Sequence, residues 1–394
     1  MKSSVAVAGL GAVTAAGDGI NSLLQAVEAN SLELRKCKKY RGDLYMTNRV
    51  GAVPEDTWEK ISELYTKQSR SRTFQLASHA LSEAISQTKE QLNSLDPKRI
   101  GFVLSTTKAE ITALEALTNS KSCDAESEKH IIPYQLAADL AKAHNALGPV
   151  QCVSVACISG LLAIQQGARL ILRGDADAVL VSGVDIISHF VLAGFSTLKS
   201  LDPDGCRPFD KERKGLTLGE ATGAMVLFKA CPASNPLAKI RGWGVSNDAN
   251  HLTGPSRDGY GLSLAINRAL KMANYPPSSI EYVNAHGTGT AYNDRMEALA
   301  LKTVFADLDP PVSSCKGMIG HTLGAAGVIE SILSIISARA NVMPGTPGFS
   351  TPDEEAPVNI LKDPRPDTEF SRILKINSGF GGMNSALILE VMNS

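Results

Sequence analysis

Three side chains sit where the local sequence would hold them out for reaction. In Val153-Ser154-Val155-Ala156-Cys157-Ile158-Ser159-Gly160 an apolar, β-type run gives way to a helical pattern, with a cysteine at the turn. A thiol so placed lies near the positive end of a helix. There its pKa can fall below the free value of about 8.5, and backbone N–H groups can receive an oxyanion. A second stretch, Asn284-Ala285-His286-Gly287-Thr288-Gly289-Thr290, carries a histidine from a short apolar strand into a Gly/Thr loop. A third, Ser314-Cys315-Lys316-Gly317-Met318-Ile319-Gly320-His321-Thr322-Leu323-Gly324-Ala325-Ala326-Gly327, surrounds a histidine with small residues that leave room for a substrate. Loops at strand ends are where functional side chains concentrate. A cysteine alone reads as core filler, and a histidine alone reads as structural, as do His79, His130, His144, His189 and His251. One cysteine with two loop histidines suits acyl transfer through a thioester.

The elements that must position these groups follow from hydrophobic spacing. Residues 150–155 are apolar and β-rich. From Gly160 the pattern turns helical, with Leu161, Ile164, Ala168 and Ile171 on one face and Gly174 as the stop. Residues 178–182 then read as a second buried strand, a strand–helix–strand unit that implies parallel pairing. A similar unit begins at Val312-Ser313-Ser314, continues through a glycine-rich turn to a helix with Val328, Ile332 and Ile335 on one face, and ends in an apolar run at 340–343. Each unit has a cysteine at its first turn, Cys157 and Cys315, so a duplicated architecture is expected. Upstream, Val5-Ala6-Val7-Ala8 reads as a buried strand ending in a Gly9-Leu10-Gly11 turn. Thr14 stands where a dinucleotide fingerprint needs its third glycine, which argues against nucleotide binding. Residues 73–92 and 133–146 read as helices, 101–105 as a strand and 119–130 as an exposed loop. The Pro/Ser/Ala-rich stretch 229–236 marks the junction between halves 1–232 and 233–394.

Bulk properties narrow the function classes. A chain of 394 residues with 43% apolar and 20% charged residues is globular and long enough for two packed halves. A formal net charge of −1 provides no global field for nucleic acid, so electrostatic recognition must come from a local patch. The seven cysteines are odd in number and dispersed, with no C-x-x-C pair. Neither a disulfide framework nor a zinc site is indicated, and a reducing cytoplasm fits. No apolar run reaches the length of a membrane span. The first apolar stretch is short, broken by Gly9 and Gly11, and preceded by one lysine, so a secretory leader is not expected.

In order along the chain these motifs resemble the β-ketoacyl-[acyl carrier protein] synthases, most closely the elongating type with a Cys-His-His set. Gly9-Leu10-Gly11, VACISG, Arg207-Pro208-Phe209-Asp210, Gly219-Glu220-Ala221-Thr222-Gly223, HGTGT with Asn293-Asp294, CKGMIGHTLGAAG and Gly379-Phe380-Gly381-Gly382 each resemble a family segment. The resemblance covers nearly the whole chain. It implies an α/β, thiolase-like fold, a duplicated five-layer α–β–α–β–α sandwich whose first half carries the nucleophile and whose second half carries both histidines. It implies Cys157 as acyl acceptor, and His286 and His321 as the pair that promotes malonyl decarboxylation and stabilises the enolate. Lys316 would orient the site electrostatically and Glu330 would balance it, with a purely structural ion pair as the other reading. Thr288 and Thr290 would support the first histidine loop. The N–H groups of Cys157 and Phe380 would form an oxyanion hole, and Phe380, flanked by Gly379 and Gly381, would gate the thiol. No metal or organic cofactor is implied. The partners implied are acyl and malonyl forms of acyl carrier protein, and a dimer, either of identical chains or with a second ketosynthase-like subunit. Lys67, Arg70, Arg72 and Arg207 are candidates for carrier docking, each also readable as ordinary solvated charge.

The chain departs from the family at positions outside the Cys-His-His set, several of which the resemblance places at the acyl pocket or its gate. Ile158 follows the nucleophile where the family has Ala or Ser, and Ser105-Thr106-Thr107-Lys108-Ala109-Glu110 replaces a glycine-rich segment. Ser378 replaces a phenylalanine, and Ala221-Thr222 replaces Gly-Ala. Ile158, Thr107, Lys108, Phe195 and Ser378 are therefore expected to line an altered acyl pocket, suited to a polyene, aryl or branched chain in specialised metabolism. Two rivals are weighed. One is a silent chain-length partner subunit, which would lack the cysteine. The other is a non-decarboxylating acyltransferase or a thiolase on the same fold, of which the thiolase would want a second catalytic cysteine.

Overall fold

The computed structural model describes residues 5–392 except 41–43, 68, 70, 120 and 231–234. The expected 232/233 boundary and the docking candidate Arg70 lie outside the described residues. The first half is built on β1 (Val5–Thr14), β2 (Ile100–Ser105), β3 (Val150–Val153), β4 (Ala178–Asp185) and β5 (Ala221–Lys229). The second is built on β6 (Ala238–Asn247), β7 (Tyr282–Asn284), β8 (Val312–Ser313), β9 (Arg372–Gly379) and β10 (Met383–Val391). The first half runs β1-β5-β4-β2-β3 and the second β6-β10-β9-β7-β8, the same permutation. In both, the first two neighbour pairs are antiparallel and the last two parallel. The duplicated architecture is thus present in the connectivity. Val5, Ala6 and Val7 pair with Ile240, Lys239 and Ala238 and join the two sheets edge to edge.

Helices α1 (Arg72–Ser86), α2 (Pro133–Ala143), α3 (Ser159–Arg173), α4 (His189–Thr197), α5 (Tyr260–Ala273), α6 (Ala291–Phe305) and α7 (Ala326–Arg339) complete the layers. α3 and α7 pack on each other between the sheets. α1 and α2 cover the outer face of the first sheet, and α5 and α6 that of the second. Strand periodicity sorts the side chains among three cores. On β5, Met225 and Leu227 face the middle core while Ala224 and Val226 face the outer one. On β10, Leu387 and Leu389 face inward and Ala386 and Ile388 outward. The result is the five-layer sandwich expected. α7 is buried all round from Ala326 to Ala338, as a middle-layer helix must be.

Three local expectations fail. Gly9 and Gly11 form no turn: β1 runs on to Thr14, with a bulge between Val7 and Gly9. The glycines serve close approach instead, because a Cβ at Gly9 would lie 2.2 Å from the Ala84 carbonyl oxygen and one at Gly11 2.0 Å from that of Ala80, both on α1. Residues 340–343 are not a strand; Met343 makes one isolated bridge to Arg365, and Val342 and Met343 serve as loop residues that bury in the middle core. The polar stretch 119–130 contains a short helix, Ala125–Lys129, capped by the Asp124 side chain.

Candidate active site

The nucleophile turn follows β3 and enters α3. Ala156 takes a left-handed φ of +44°, strained for an alanine. Ser159 Oγ holds the bend by accepting from Val155 N–H at 2.7 Å and donating to the Ala156 carbonyl at 2.6 Å. Cys157 then points at His321, with Sγ 2.9 Å from Nε2. The two turns that bring them together are topological equivalents, each between the third strand of its half and the middle-layer helix. Cys157 and Cys315 both lie in these equivalent turns, as the sequence suggests, but it is His321 of the second turn that meets Cys157. Cys315 is buried in the middle core, where burial pushes its thiol up to about 12.

Both imidazoles have a fixed tautomer. His321 Nδ1 accepts from Leu323 N–H at 3.3 Å, so its proton sits on Nε2, the nitrogen facing sulfur. Asn377 Nδ2 donates to His286 Nδ1 at 2.9 Å and to Glu330 Oε2 at 3.0 Å. The carboxylate dictates that amide orientation, because the reversed amide would set oxygen against oxygen. His286 therefore also carries its proton on Nε2. The rings lie 5.1 Å apart, nearly perpendicular at 84°. Sγ and a nitrogen of each ring lie within 4.8 Å of one another. A Cys-His-His set can bind metal, but an Nε2 that keeps its proton is a donor rather than a ligand.

Behind the rings lies a buried charge cluster. Lys316 Nζ donates to the His286 carbonyl and pairs with Glu330 Oε1, while Lys375 Nζ stands 2.7 Å from Glu330 Oε2. Burial would raise the Glu330 carboxyl, but the two ammoniums overcome it and hold it near 2. Burial, then Lys316, pull His321 down to about 3. His286 is held well below the ordinary imidazole value by burial, Lys316, His321 and Lys375. Both are neutral N–H donors near pH 7. The sequence expectation for the thiol is reversed: burial pushes Cys157 up to about 11, against the pull of Lys316 and Lys108.

Cys157, His286 and His321 line a cavity of ≈ 480 Å³. Phe380 lines it too and stacks on Phe195, centroids 5.8 Å apart. Gly379 abuts the nucleophile; a Cβ there would lie 3.1 Å from Cys157 N. Gly381 turns the loop at φ +84°. Thr288 and Thr290 line the cavity with their hydroxyls 2.8 Å apart, and Ser378 lines it while donating to Asn384 Oδ1 at 2.7 Å.

Other expected residues are elsewhere. Ile158, Thr107 and Lys108 are not part of the cavity wall. Ile158 is fully buried at the head of α3. Thr107 is drawn away by Asp185, whose carboxylate accepts from its hydroxyl at 2.7 Å, and Lys108 leans on Thr107. Lys316 and Glu330 also stay behind the wall, buried and paired with each other. Arg72 is held by its own neighbours: it pairs with Glu220 at 2.7 Å and lies 4.1 Å over the Trp58 ring. Lys67 is exposed and Arg207 half-buried, and neither lines the cavity. The lysines at the cavity are Lys199 and Lys214. His251 lines it as well, with Nδ1 accepting from Thr253 and Gly254 N–H at 3.1 Å. Sequence reasoning missed Asn377, Lys375, Glu297 and Asp185. Glu297 accepts the His286 and Gly287 N–H groups, and Asp185 accepts from Thr106, Thr107 and Gly324. The signal for Lys375 was a lone charge inside the apolar run of β9.

With that geometry in view, residues 2–233 match the family model "Beta-ketoacyl synthase, N-terminal domain" and residues 237–350 match "Beta-ketoacyl synthase, C-terminal domain". The chain belongs to the β-ketoacyl synthase family. Within it, the chain is 34% identical over 343 residues to "Putative polyketide beta-ketoacyl synthase 1" of Streptomyces halstedii, covering 81% of each chain. It is 28% identical over 406 residues to "3-oxoacyl-[acyl-carrier-protein] synthase 2" of Staphylococcus aureus, covering 98% of each. Among solved structures, "The ishigamide ketosynthase/chain length factor" superposes with a TM-score of 0.89 at 25% identity, over 99% of this chain and 100% of that one. The thiolase-like ketosynthase fold of this β-ketoacyl synthase follows. No helix among the described residues is long and apolar enough to cross a membrane.

Proposed function

We propose that this β-ketoacyl synthase catalyses decarboxylative condensation of an acyl thioester with malonyl-acyl carrier protein. The nucleophile comes from the 1–232 half and both histidines from the 233–394 half. Cys157 Sγ attacks the acyl thioester, an oxyanion forms against the N–H groups of Cys157 and Phe380, and the carrier thiol leaves with the proton. The malonyl carrier then loses carbon dioxide. The electron pair of the broken C–C bond develops as an enolate on the thioester oxygen. The enolate carbon attacks the acyl group on Cys157, and the cysteine thiol is regenerated by uptake of one proton. The observation that carries this reading is the pair of neutral Nε2–H imidazoles beside a buried thiol. Two fixed donors on buried rings are what a developing enolate requires.

Polyketide or polyene-type chemistry is favoured over ordinary fatty acid elongation. Its support is the small Ser378 in the gate and the polyketide relatives. Lys199 and Lys214 at the cavity, both exposed, suit an acidic carrier. The six free cysteines among the described residues suit a reducing cytoplasm. A silent chain-length subunit is disfavoured, since Cys157 stands within hydrogen-bond reach of His321. A thiolase is disfavoured because Cys315 is sealed in the core. Acyl carriers of varied chain plus malonyl carrier, read by intact mass, test the proposal. Acylation on Cys157, release of carbon dioxide and a β-ketoacyl carrier product are expected, and Cys157→Ala should lose the first and last. Folded protein that takes no acyl group would overturn the enzyme reading in favour of the partner subunit.

A further inference from the structure

Lys375 is a fully buried charge that the condensation steps do not use. Its ammonium is surrounded by oxygen: the Asn284 carbonyl at 3.3 Å, Ala285 at 3.1 Å, Ile376 at 2.7 Å, and Glu330 Oε2 at 2.7 Å. An ammonium has only three N–H bonds. Four acceptors mean that charge, not hydrogen-bond count, fills the space. A neutral amine would turn its lone pair toward one of these oxygens. Three backbone carbonyls and a carboxylate make the donor set that holds a large monovalent cation.

The oxygens belong to the segments that aim His286. Asn284 and Ala285 immediately precede it. Ile376 immediately precedes Asn377, whose amide holds His286 Nδ1. Glu330 Oε2 holds the other hydrogen of that amide. Asn284 and Lys375 are register partners on β7 and β9. We propose that Lys375 is a positioning residue, a tethered cation occupying a carbonyl-and-carboxylate cage and thereby fixing the His286 ring for enolate stabilisation. The catalytic part of this rests on the condensation reading above; the cage does not.

Two variants separate the cage from mere bulk. Lys375→Ala vacates it, and a free ammonium or potassium ion should take the place of the side chain. Lys375→Met keeps the stem without the charge and leaves no room. Thermal midpoints and carbon dioxide release from malonyl carrier are measured in ammonium, potassium and tetramethylammonium chloride at equal ionic strength. For Lys375→Ala the midpoint should rise in ammonium or potassium relative to tetramethylammonium. Its carbon dioxide release should fall by about tenfold or more and return with the same two ions. Wild-type protein and Lys375→Met should show no such selectivity. Equal midpoints for Lys375→Ala in all three salts overturn the cage, as does failure of that variant to fold in any of them. A selective midpoint without recovery of carbon dioxide release overturns the positioning of His286. A selective midpoint with wild-type protein itself releasing no carbon dioxide sustains the cage and overturns the condensation reading.

Discussion

His286 and His321 each have one ring nitrogen committed to the protein and one to the cavity. That division comes from two donors, Asn377 Nδ2 and Leu323 N–H, which hold the Nδ1 lone pairs. Burial and the Lys316 charge then keep both rings neutral. The sign of the pH effect follows. A pKa lowered from 6.5 to about 3 means that His321 retains its neutral form as pH falls through the range where free imidazole protonates. Carbon dioxide release from malonyl carrier should therefore show no loss between about pH 7.5 and 5.5 attributable to histidine. An acid limb centred near 6.5 in protein that remains folded by circular dichroism would contradict the neutral pair.

At the level of elements, the site depends on how closely α3 approaches α7. Gly160 is at the start of α3, and a Cβ there would meet Val328 N at 2.7 Å and Gly327 N at 2.8 Å. Both obstacles are backbone and cannot rotate away. Gly160→Ala should lower stability by about 1–3 kcal/mol and move Cys157 relative to His321. A denaturant titration together with the rate of Cys157 acylation checks this. An unchanged midpoint would mean that the two helices can separate freely. The same close approach explains what was and was not legible. The pattern Leu161, Ile164, Ala168, Ile171 and the stop at Gly174 identified α3, because one-sided burial writes a period into the sequence. Gly9-Leu10-Gly11 was misread as a turn because glycine marks both turns and close contacts, and the partner carbonyls on α1 are some 70 residues distant. Val342 and Met343 were misread as a strand because apolar residues bury equally well from a loop.

For the whole molecule, two features are left uncovered among the described residues. Leu114 and Leu117, on the short helix Ile111–Thr118, and Phe190, on α4, are exposed, and the two helices touch, with Phe190 N–H donating to the Glu115 carboxylate. The edge strand β3 is half-exposed and pairs only with β2 among the described residues. An apolar patch and an open edge on one molecule call for cover. The isolated chain should sediment as a dimer, and Phe190→Glu should shift it toward monomer at micromolar concentration. Equal mass for both proteins would remove this patch from the interface. The sequence by itself determined which reactive groups the chain owns, their order, and their places at strand-end turns. Those are local properties, carried by a cysteine at a β-to-α switch and by histidines among glycines. Only the tertiary structure decided their chemistry. It raised the thiol that a helix terminus alone would lower, paired Arg72 with Glu220 and buried Ile158 at the head of α3, and brought Lys375 and Asn377 to the back of His286. Desolvation and charge act through space, and the groups responsible are remote in sequence: Glu330 bears on Cys157 across 173 residues and Lys108 on His321 across 213.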